Sequence, residues 1–504
     1  MPTFFQFAVV LFVALGSLTY GYCSSIIATT LGQPTFITYF KLDVVSNADS
    51  LIGAINALYQ VGGLLGALSC LWIPDKLGRK RALFLGAIFC VVGGALQAGS
   101  VHVAMFMVSR FLVGYGVGSL VGLVPLYQSE VAPTKLRGLL VGMHGVLICI
   151  GYGSASWIGL GFYFLRGTNS QWRWPLAIQC LPPLFLAIGV LFVPESPRWL
   201  LIQDRQSEAF QNFRKVQDSG EGPEHEMAIE QEFRLLAAQV AHEMKHEVPL
   251  KDFFLVPSLR KRCVVGFLTL AAAQGTGTLV INNYGPLLYS NLGYGTVLQL
   301  VIQSAWISSC IPGNLFNALV VDKTGRKRLL LFGLTGDLIA LIGECIAVSI
   351  FQRTGSRAIA SLAVFFLFLH IALYSVSLDA TSYIYSAEIF PTPLRARGVG
   401  ISITGLFVST IVYLQAAPVA FANIGWKYYL VFVCVTASMI PVVWFYFPET
   451  KGRSLEDIGE VFGDNIALED EREEEIHRRF KLSQYKESVL TDEKGVAAVH
   501  VEEE

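Results

Sequence analysis

Twelve apolar runs, each about as long as a bilayer is thick, constrain this chain of 504 residues more than any other feature. A helix needs about 20 apolar residues to cross roughly 30 Å of hydrocarbon, where only a helix or a closed barrel satisfies its own backbone. Only 15% of the residues are charged, far fewer than in soluble domains. We predict an all-α, multi-pass membrane protein with spans near 4–29, 50–73, 82–99, 103–126, 138–161, 174–193, 264–289, 298–321, 329–350, 359–385, 399–420 and 427–447.

A short charged sequence occurs twice, between runs 2 and 3 and between runs 8 and 9. It reads DKLGRKR from Asp75 to Arg81 and DKTGRKR from Asp322 to Arg328, so the copies lie 247 residues apart (322 − 75). Basic loops are retained on the cytosolic side, which predicts cytosolic loops here and cytosolic termini. Retention of positive charge alone explains neither the Asp that opens both copies nor the Gly at their fourth position, so the repeat indicates a duplication.

Longer internal matches support a duplicated half. PLYQSEVAPTKLRG at 125–138 matches YIYSAEIFPTPLRARG at 383–398, and PESPRWL at 194–200 matches PETKGRSLED at 448–457. The chain is therefore predicted to comprise an N-terminal six-helix bundle, a cytosolic helical linker, a C-terminal six-helix bundle and a cytosolic acidic tail, at 1–193, 194–262, 263–447 and 448–504.

Two regions are hydrophilic. In the linker, residues 204–218 and 224–247 show apolar residues at helical spacing among many charges. The tail is predicted to begin with a short helix near 455–462, and its acidic runs are typical of solvated or disordered chain.

Several classes of protein are excluded by what the sequence lacks. Its nine cysteines show no paired spacing typical of zinc or a disulfide framework. We find no phosphate-binding loop, metal-ligand constellation or nucleophile triad. We therefore expect no enzymatic activity, no cofactor, no bound metal and no nucleic-acid partner, and we expect a monomer that works in the lipid bilayer.

Duplicated bundles favour a transporter in which one half rocks against the other around a midplane site. Charged residues at the cytosolic rim could then pair across the mouth in one state and separate in the other; the alternative is a static, solvated rim. The candidate gate residues are Asp75, Gly78, Arg79, Arg81, Glu130, Arg137, Glu195, Arg198, Asp322, Gly325, Arg326, Arg328, Glu388, Arg395, Glu449 and Arg453.

Taken together, these motifs are similar to those of the sugar porter family of the major facilitator superfamily. Within that family, the sequence resembles the fungal members. The resemblance runs from Tyr20 to Asp457 and includes RFLVGYGVG at 110–118. It implies the major facilitator fold, with twelve transmembrane helices in two six-helix bundles. It also implies transport of a sugar or similar polar small molecule by alternating access, as a uniporter or a proton symporter.

The resemblance places the solute site on spans 1, 4, 5, 7, 10 and 11, where several polar residues of the family are replaced. Gly145 stands in place of a glutamine in span 5, and Leu406 and Phe407 replace an Asn-Trp pair in span 11. In span 7 one glutamine remains, and polar residues follow before Gly285 and Pro286, where we expect the helix to break. We predict a solute site formed by Gln274, Thr278, Asn282, Asn283, Tyr284, Tyr383 and His144. The first three of these are spaced to share one helical face.

Two ionisable residues are candidates for proton coupling. Cys23 stands where proton-coupled members of the family carry an aspartate in span 1, whereas the partner arginine is retained as Arg110. Either the protein is a facilitator that needs no proton, or another acid has replaced the aspartate. If another acid has replaced it, the candidate is Asp379 in span 10, because an ionisable residue inside a span marks a functional position. The alternative is that Asp379 only satisfies a neighbouring Ser, Thr or Arg.

Other ionisable residues in the spans are weaker candidates. His144 and His370 are more readily explained as hydrogen-bonded core residues than as ligands. Asp337 and Glu344 share one face of span 9, which is peripheral in the family, so we expect them to contact the interior of the outer half or water.

Two rival functions remain beside sugar transport. The replaced amides favour a transporter of another solute, such as quinate, a polyol or a secondary metabolite, because amides suit polyols by offering both a donor and an acceptor. A non-transporting nutrient sensor ranks lowest, since the tail of 57 residues (504 − 447) is acidic and without repeats. The plasma membrane is the default for the family, and an internal membrane would look the same in sequence.

Overall fold

The computed structural model describes residues 4–131, 137–165, 168–217, 223–245, 248–391, 394–453 and 455–463. Throughout these residues every regular element is a helix, which confirms the predicted all-α class. The acidic runs of the tail lie outside the described residues, as does the side chain of Arg137.

The first ten helices make up what we call the N-terminal half. They are α1 (Phe4–Val13), α2 (Leu15–Leu31), α3 (Pro34–Tyr39), α4 (Ala48–Ser69), α5 (Ile73–Leu77), α6 (Arg79–Ala98), α7 (Val103–Val131), α8 (Arg137–Tyr163), α9 (Ser170–Ile178) and α10 (Leu181–Val190).

Four helices follow in the linker, where helices were predicted: α11 (Pro197–Ile202), α12 (Gln206–Gln217), α13 (Pro223–Lys245) and α14 (Asp252–Leu255). The C-terminal half contains α15 (Pro257–Gly275), α16 (Thr278–Asn291), α17 (Thr296–Ser308), α18 (Cys310–Thr324), α19 (Arg326–Thr354), α20 (Arg357–Ser377), α21 (Asp379–Glu388), α22 (Arg395–Ile424), a 3₁₀ turn (Gly425–Tyr428) and α23 (Tyr429–Tyr446). The predicted short tail helix is α24 (Leu455–Phe462).

Ten of the described helical segments are long and apolar enough to cross a membrane, whereas twelve were predicted. The last segment, Arg395–Tyr446, contains two predicted runs: as one helix its 52 residues would extend about 78 Å, more than twice the hydrocarbon thickness. Gly425, with φ of +54°, breaks it. Run 6 is divided into α9 and α10 at Cys180, just before two prolines. All twelve predicted runs thus correspond to helices.

Span 7 is interrupted, but earlier than predicted. α15 ends at Gly275 and α16 begins at Thr278, because Gly277 adopts φ of +80°. The helix then continues through Pro286, where the break was expected. The prediction that three polar residues share one continuous helical face is therefore wrong, since the break lies between the first of them and the other two.

Helices α4 and α7 contact each other backbone to backbone. A Cβ at Gly62 would lie 2.2 Å from the Phe111 carbonyl oxygen, and one at Gly66 would lie 2.1 Å from the Tyr115 carbonyl oxygen. Real Cβ atoms do not approach other atoms within 3.0 Å, so only glycine permits this contact.

The two halves meet along three sets of helices: α4 packs against α22, α2 against α16, and α8 against α17 and α18. We call the end of the bundle with Gly78 and Gly325 the motif end, and the opposite end the far end. Toward the far end, the Trp157 indole N–H donates to Ser308 Oγ over 3.0 Å. A Cβ at Gly53 of α4 would lie 2.5 Å from the Gln415 carbonyl oxygen of α22.

Candidate functional site

The first copy of the repeated motif forms a set of hydrogen bonds around Glu195. Gly78, between α5 and α6, has φ of +92°, and a Cβ there would lie 2.6 Å from Glu195 Oε2. This turn aims the backbone N–H groups of Arg79 and Lys80 at Glu195 Oε1, each over 3.1 Å. The Ser196 N–H donates to the same oxygen over 3.0 Å. The carboxylate therefore binds the N-terminus of α6, where backbone N–H groups favour an anion.

The Arg79 side chain joins α6 to α5 and α7. Its Nε and Nη2 lie 3.0 and 2.9 Å from the two carboxylate oxygens of Glu130. Its Nη1 donates to Asp75 Oδ1 and to the Pro74 carbonyl oxygen, both over 3.1 Å. The side chains of Arg79 and Glu130 are only 6% and 5% exposed. A buried, bidentate pair of this kind fixes α6 relative to α7.

The second copy repeats this arrangement in the C-terminal half. Gly325 has φ of +100°, and the Arg326 N–H donates to Glu449 Oε1 over 2.9 Å. The Arg326 Nη2 group lies 2.6 Å from Glu388 Oε1 and 2.7 Å from Asp322 Oδ1. Arg326 and its three acidic partners thus join α19 to α18, to α21 and to the segment that follows α23.

Two further hydrogen bonds are duplicated. A tyrosine of span 4 or 10 donates to the proline carbonyl that precedes the glutamate, and the motif lysine donates to a carbonyl near the end of span 6 or 12. The pairs are Tyr127 with Pro194 (2.7 Å), Tyr385 with Pro448 (2.9 Å), Lys80 with Leu191 (2.6 Å) and Lys327 with Trp444 (2.7 Å).

One element is present in the first copy alone among the described residues. Trp199 of α11 covers the turn: its indole N–H donates to the Asp75 carbonyl over 2.9 Å, and a Cβ at Gly78 would lie 3.3 Å from its ring. Burial raises the pKa of the Glu195 carboxyl, against the opposing effects of its backbone N–H donors and the Arg79 charge. The linker is therefore part of the first site.

Arg79 with Glu130 and Arg326 with Glu388 each pair within one half, rather than across the mouth as predicted. Arg397 and Asp75 do approach each other between the halves at the motif end, with 3.9 Å between Nη2 and Oδ2. Of the other predicted gate residues, three arginines are exposed and two are half-buried, and Arg137 has its side chain outside the described residues. The exposed ones are Arg81, Arg328 and Arg453, and the half-buried ones are Arg198 and Arg395.

Buried amides lie on both sides of the break in span 7. The Gln274 amide donates to Tyr374 Oη over 3.5 Å, while its Oε1 has no hydrogen-bond partner among the described residues. Asn282 Oδ1 accepts from Ser25 Oγ of α2 over 3.4 Å and from Gln303 Nε2 over 3.3 Å. In the part of the chain that the structure describes, its Nδ2 has no hydrogen-bond partner. Buried polar groups are nearly always hydrogen-bonded, so each of these two atoms has an unused hydrogen-bonding capacity.

Other predicted solute residues of span 7 are held by hydrogen bonds within the protein. Thr278 Oγ1 lies 2.9 Å from Thr276 Oγ1. The Asn283 amide donates to the backbone carbonyl four residues earlier over 2.7 Å. The Tyr284 hydroxyl donates to the Leu414 carbonyl of α22 over 2.8 Å. Asn283 and Tyr284 thus position α16 rather than present free polar atoms.

Asp379 and Tyr383 bring α21 to the contact between the halves. Asp379 is half-buried, and its Oδ2 accepts from the Asn314 amide over 2.9 Å, so its partner is an amide rather than the predicted Ser, Thr or Arg. In the N-terminal half, Tyr20 and Tyr152 pack together with 6.3 Å between their ring centres. Tyr383 packs against the apolar core of that same half. Sequence reasoning missed Asn314 and Tyr152, which lack a motif.

Arg110 is buried, and no acidic partner for it is found among the described residues. It is 1% exposed, its Nη1 donates to the Cys23 carbonyl oxygen over 3.2 Å, and its guanidinium lies 4.1 Å from the centre of the Tyr59 ring. A cation over an aromatic face is attracted by the ring quadrupole, so Tyr59 takes part of the role of the missing aspartate.

The two histidines differ in their surroundings. His144 Nδ1 lies 2.7 Å from Ser17 Oγ of α2, and next to it a Cβ at Gly145 would meet no atom within 4 Å. His370 is buried, and its Nε2 donates to the Thr276 carbonyl oxygen at the break in span 7 over 3.1 Å. His144 is therefore hydrogen-bonded to α2, whereas His370 is a core residue that supports the break.

The acids of span 9 are buried inside the C-terminal half. Asp337 and Glu344 are 0% and 1% exposed, and among the described residues their four carboxylate oxygens have no hydrogen-bond partner. Of the two surroundings expected for them, the structure shows the interior of the half.

Two interlocked helical halves, each with the same ion-pair site at one end, define a major facilitator. A family model described as sugar (and other) transporter matches residues 9–462. The chain belongs to this family of membrane transporters, and neither the family nor its structural neighbours are enzymes.

The relatives cover most of the chain. An MFS-type transporter, criB, of Aspergillus cristatus is 32% identical over 459 residues, covering 90% of this chain and 92% of the relative. A high-affinity glucose transporter of Kluyveromyces lactis is 27% identical, covering 92% and 86%. The xylose transporter XylE of E. coli, in a partially occluded inward open conformation, superposes with a TM-score of 0.75 at 22% identity, covering 90% of this chain and 100% of XylE. The fold is therefore that of the major facilitators.

Proposed function

We propose that this transporter carries a sugar and that Gln274 and Asn282 bind its hydroxyl groups on either side of the break in span 7. The observation behind this proposal is that one buried amide keeps an acceptor, Oε1, and the other keeps a donor, Nδ2, without a protein partner. A sugar hydroxyl both donates and accepts, so it matches such a pair. The Kluyveromyces lactis relative is a glucose transporter by name, in line with this solute class.

We assign the transport cycle to rocking of the two halves. Each motif site ties its own helices together, so Arg79 with Glu130 and Arg326 with Glu388 would keep each half rigid while the contact between halves changes. Arg397 with Asp75 would open and close at the motif end. The basic loops place this end in the cytosol, with both termini, and the plasma membrane is the proposed location.

We further propose that transport needs no proton. Arg110 donates from Nη1 to the Cys23 carbonyl and its guanidinium lies over the Tyr59 ring, so two uncharged groups stand where a proton-coupled member of the family would have a carboxylate. The alternative is a proton symporter in which Asp379 is the coupling acid, with Arg110 as its partner. That alternative predicts that a protonophore abolishes uptake.

The test is uptake of labelled glucose and xylose by yeast cells that lack their own hexose carriers, with and without a protonophore. We expect saturable uptake that survives the protonophore. Asn282→Ala should raise KM about tenfold, which is the loss of about one hydrogen bond to solute. Asn423→Ala is the matched control, since Asn423 is an exposed amide bonded within its own helix.

Three results would contradict these proposals separately. Sugar uptake that ends with the protonophore overturns the facilitator. An unchanged KM in Asn282→Ala overturns the solute site. If the protein is present at the cell surface and takes up neither sugar, while a screen finds uptake of quinate or a polyol, the sugar assignment is wrong.

A further inference from the structure

We propose that Cys149, Cys310 and Asp379 form a binding site for a thiophilic divalent cation such as Zn²⁺ or Cd²⁺. Their two sulfur atoms and a carboxylate oxygen all lie within 4.8 Å of one another. Cys149 and Cys310 are 161 residues apart in sequence, on different halves, so no spacing motif reveals them. Both thiols are buried, and Asp379 is half-buried.

The three groups already converge on one point. The Asn314 amide nitrogen lies 3.2 Å from Cys149 Sγ, 3.9 Å from Cys310 Sγ and 2.9 Å from Asp379 Oδ2. The same nitrogen lies 3.2 Å from the Cys310 carbonyl oxygen, so the three ligand atoms and a carbonyl oxygen surround one polar donor. A cation would take this position after the Asn314 side chain turns away.

The distance between the sulfur atoms also suits a metal. They lie 3.4 Å apart. Two thiolates on a tetrahedral zinc ion, with Zn–S bonds of about 2.3 Å, would be about 3.8 Å apart. A shift of a few tenths of an ångström between α8 and α18 would close the difference, and water in the space between the halves would supply the fourth ligand.

Binding leaves the charge of the site unchanged. Each S–H bond breaks as a sulfur–metal bond forms, and the two protons leave to water, so one divalent cation replaces two protons beside the Asp379 carboxylate. This balance matters in a region of low dielectric constant, where an uncompensated charge is expensive.

The three ligands come from both halves, so a bound cation would link one half to the other. Cys149 is on α8, whereas Cys310 and Asp379 begin α18 and α21. A bound cation would hold these helices together and stop the halves from separating. This second consequence rests on the proposed transport cycle, whereas binding itself does not.

The experiment is a titration of the purified, reduced protein with CdCl₂, followed by the ultraviolet absorption of the thiolate-to-cadmium bond. We expect one cation per chain. Cys149→Ser and Cys310→Ser should each weaken binding at least tenfold, since each removes a direct ligand. Cys345→Ser is the matched control: Cys345 is a buried cysteine outside the cluster, and its loss should leave binding unchanged.

Cys149→His keeps a metal ligand where serine does not, so it covers the case in which a serine variant fails to fold. It should retain zinc binding measured by competition with a zinc dye, with weaker cadmium absorption. Cadmium binding that is unaffected by Cys149→Ser and Cys310→Ser overturns the site, as does an equal loss in Cys345→Ser. If binding holds but cadmium leaves uptake unchanged, the site stands and its effect on rocking is wrong.

Discussion

The two motif sites have nearly the same residues at nearly the same distances, yet they differ in their contact with water. In the N-terminal site the arginine and its glutamate are 6% and 5% exposed, whereas in the C-terminal site they are 12% and 29% exposed. Trp199 of the linker covers the first site, and the C-terminal site instead has a Thr450 hydroxyl that donates to Glu388 over 2.6 Å. The two copies of one duplicated sequence thus form ion pairs that we expect to contribute unequally to the stability of the protein.

This difference indicates that the burial of an ion pair, rather than its motif, determines how much stability is lost when one partner is removed. Removing one member of a buried pair leaves an uncompensated charge, whereas water compensates a partly exposed one. The N-terminal site should therefore act mainly as a fixed part of its half. The C-terminal site is the one that water and partner residues can rearrange.

The largest expected difference is between Glu130→Gln and Glu388→Gln. The first should destabilise the protein by about 3–5 kcal/mol, because Arg79 loses its buried partner, and the second by about 1–2 kcal/mol. The apparent melting temperatures of the two purified variants, measured at one heating rate, give the comparison. Equal shifts would mean that the exposure of the two sites does not decide their strength.

An intermediate effect, the same in both copies, is expected for Gly78→Ala and Gly325→Ala. Both glycines have φ near +100°, and a Cβ would lie 2.6 or 2.7 Å from a carboxylate oxygen of Glu195 or Glu449. Strain of this kind costs about 1–3 kcal/mol, and the glutamate must also move. The same melting measurement tests it. If the melting temperatures of the two variants fall by clearly different amounts, the turns themselves, and not only their surroundings, have diverged.

The smallest effect is expected for Trp199→Phe. Phenylalanine keeps a ring over Gly78 but cannot donate to the Asp75 carbonyl, so the loss is about 1 kcal/mol, the value of one hydrogen bond. Combined with Glu130→Gln, the substitution should have less than its additive effect, since both act on one network. A fully additive double variant would mean that the linker does not belong to this site.

The sequence predicted the fold because hydrophobic length and duplicated motifs both act locally. Runs of about 20 apolar residues leave few alternatives to helices in a bilayer. The repeated motif also drew attention to Gly78 and Gly325, although the sequence analysis did not predict the turns that the two glycines form. The break in span 7 was misplaced because Pro286 is the more conspicuous residue, whereas Gly277 meets Phe432 of α23 and adopts the left-handed conformation there.

The candidate site was less predictable, because its contacts join residues far apart in sequence. Tyr59 lies against Arg110 from a different helix, and Arg79 pairs with Glu130 of its own half although the sequence also allowed pairing between halves. The solute residues Gln274 and Asn282, the coupling candidate Asp379 and the domain boundaries stay predictions.

The backbone contact between α4 and α7 has a mechanical consequence. No side chain lies between Gly62 and the Phe111 carbonyl that could change rotamer and absorb strain. α4 also packs against α22 of the other half. We expect a tilt of α4 at that contact to move the part of α7 that holds Phe111 and Tyr115 along with it. Pro125 lies inside α7 between this contact and Glu130, so the helix can bend there before the motion reaches the ion pair.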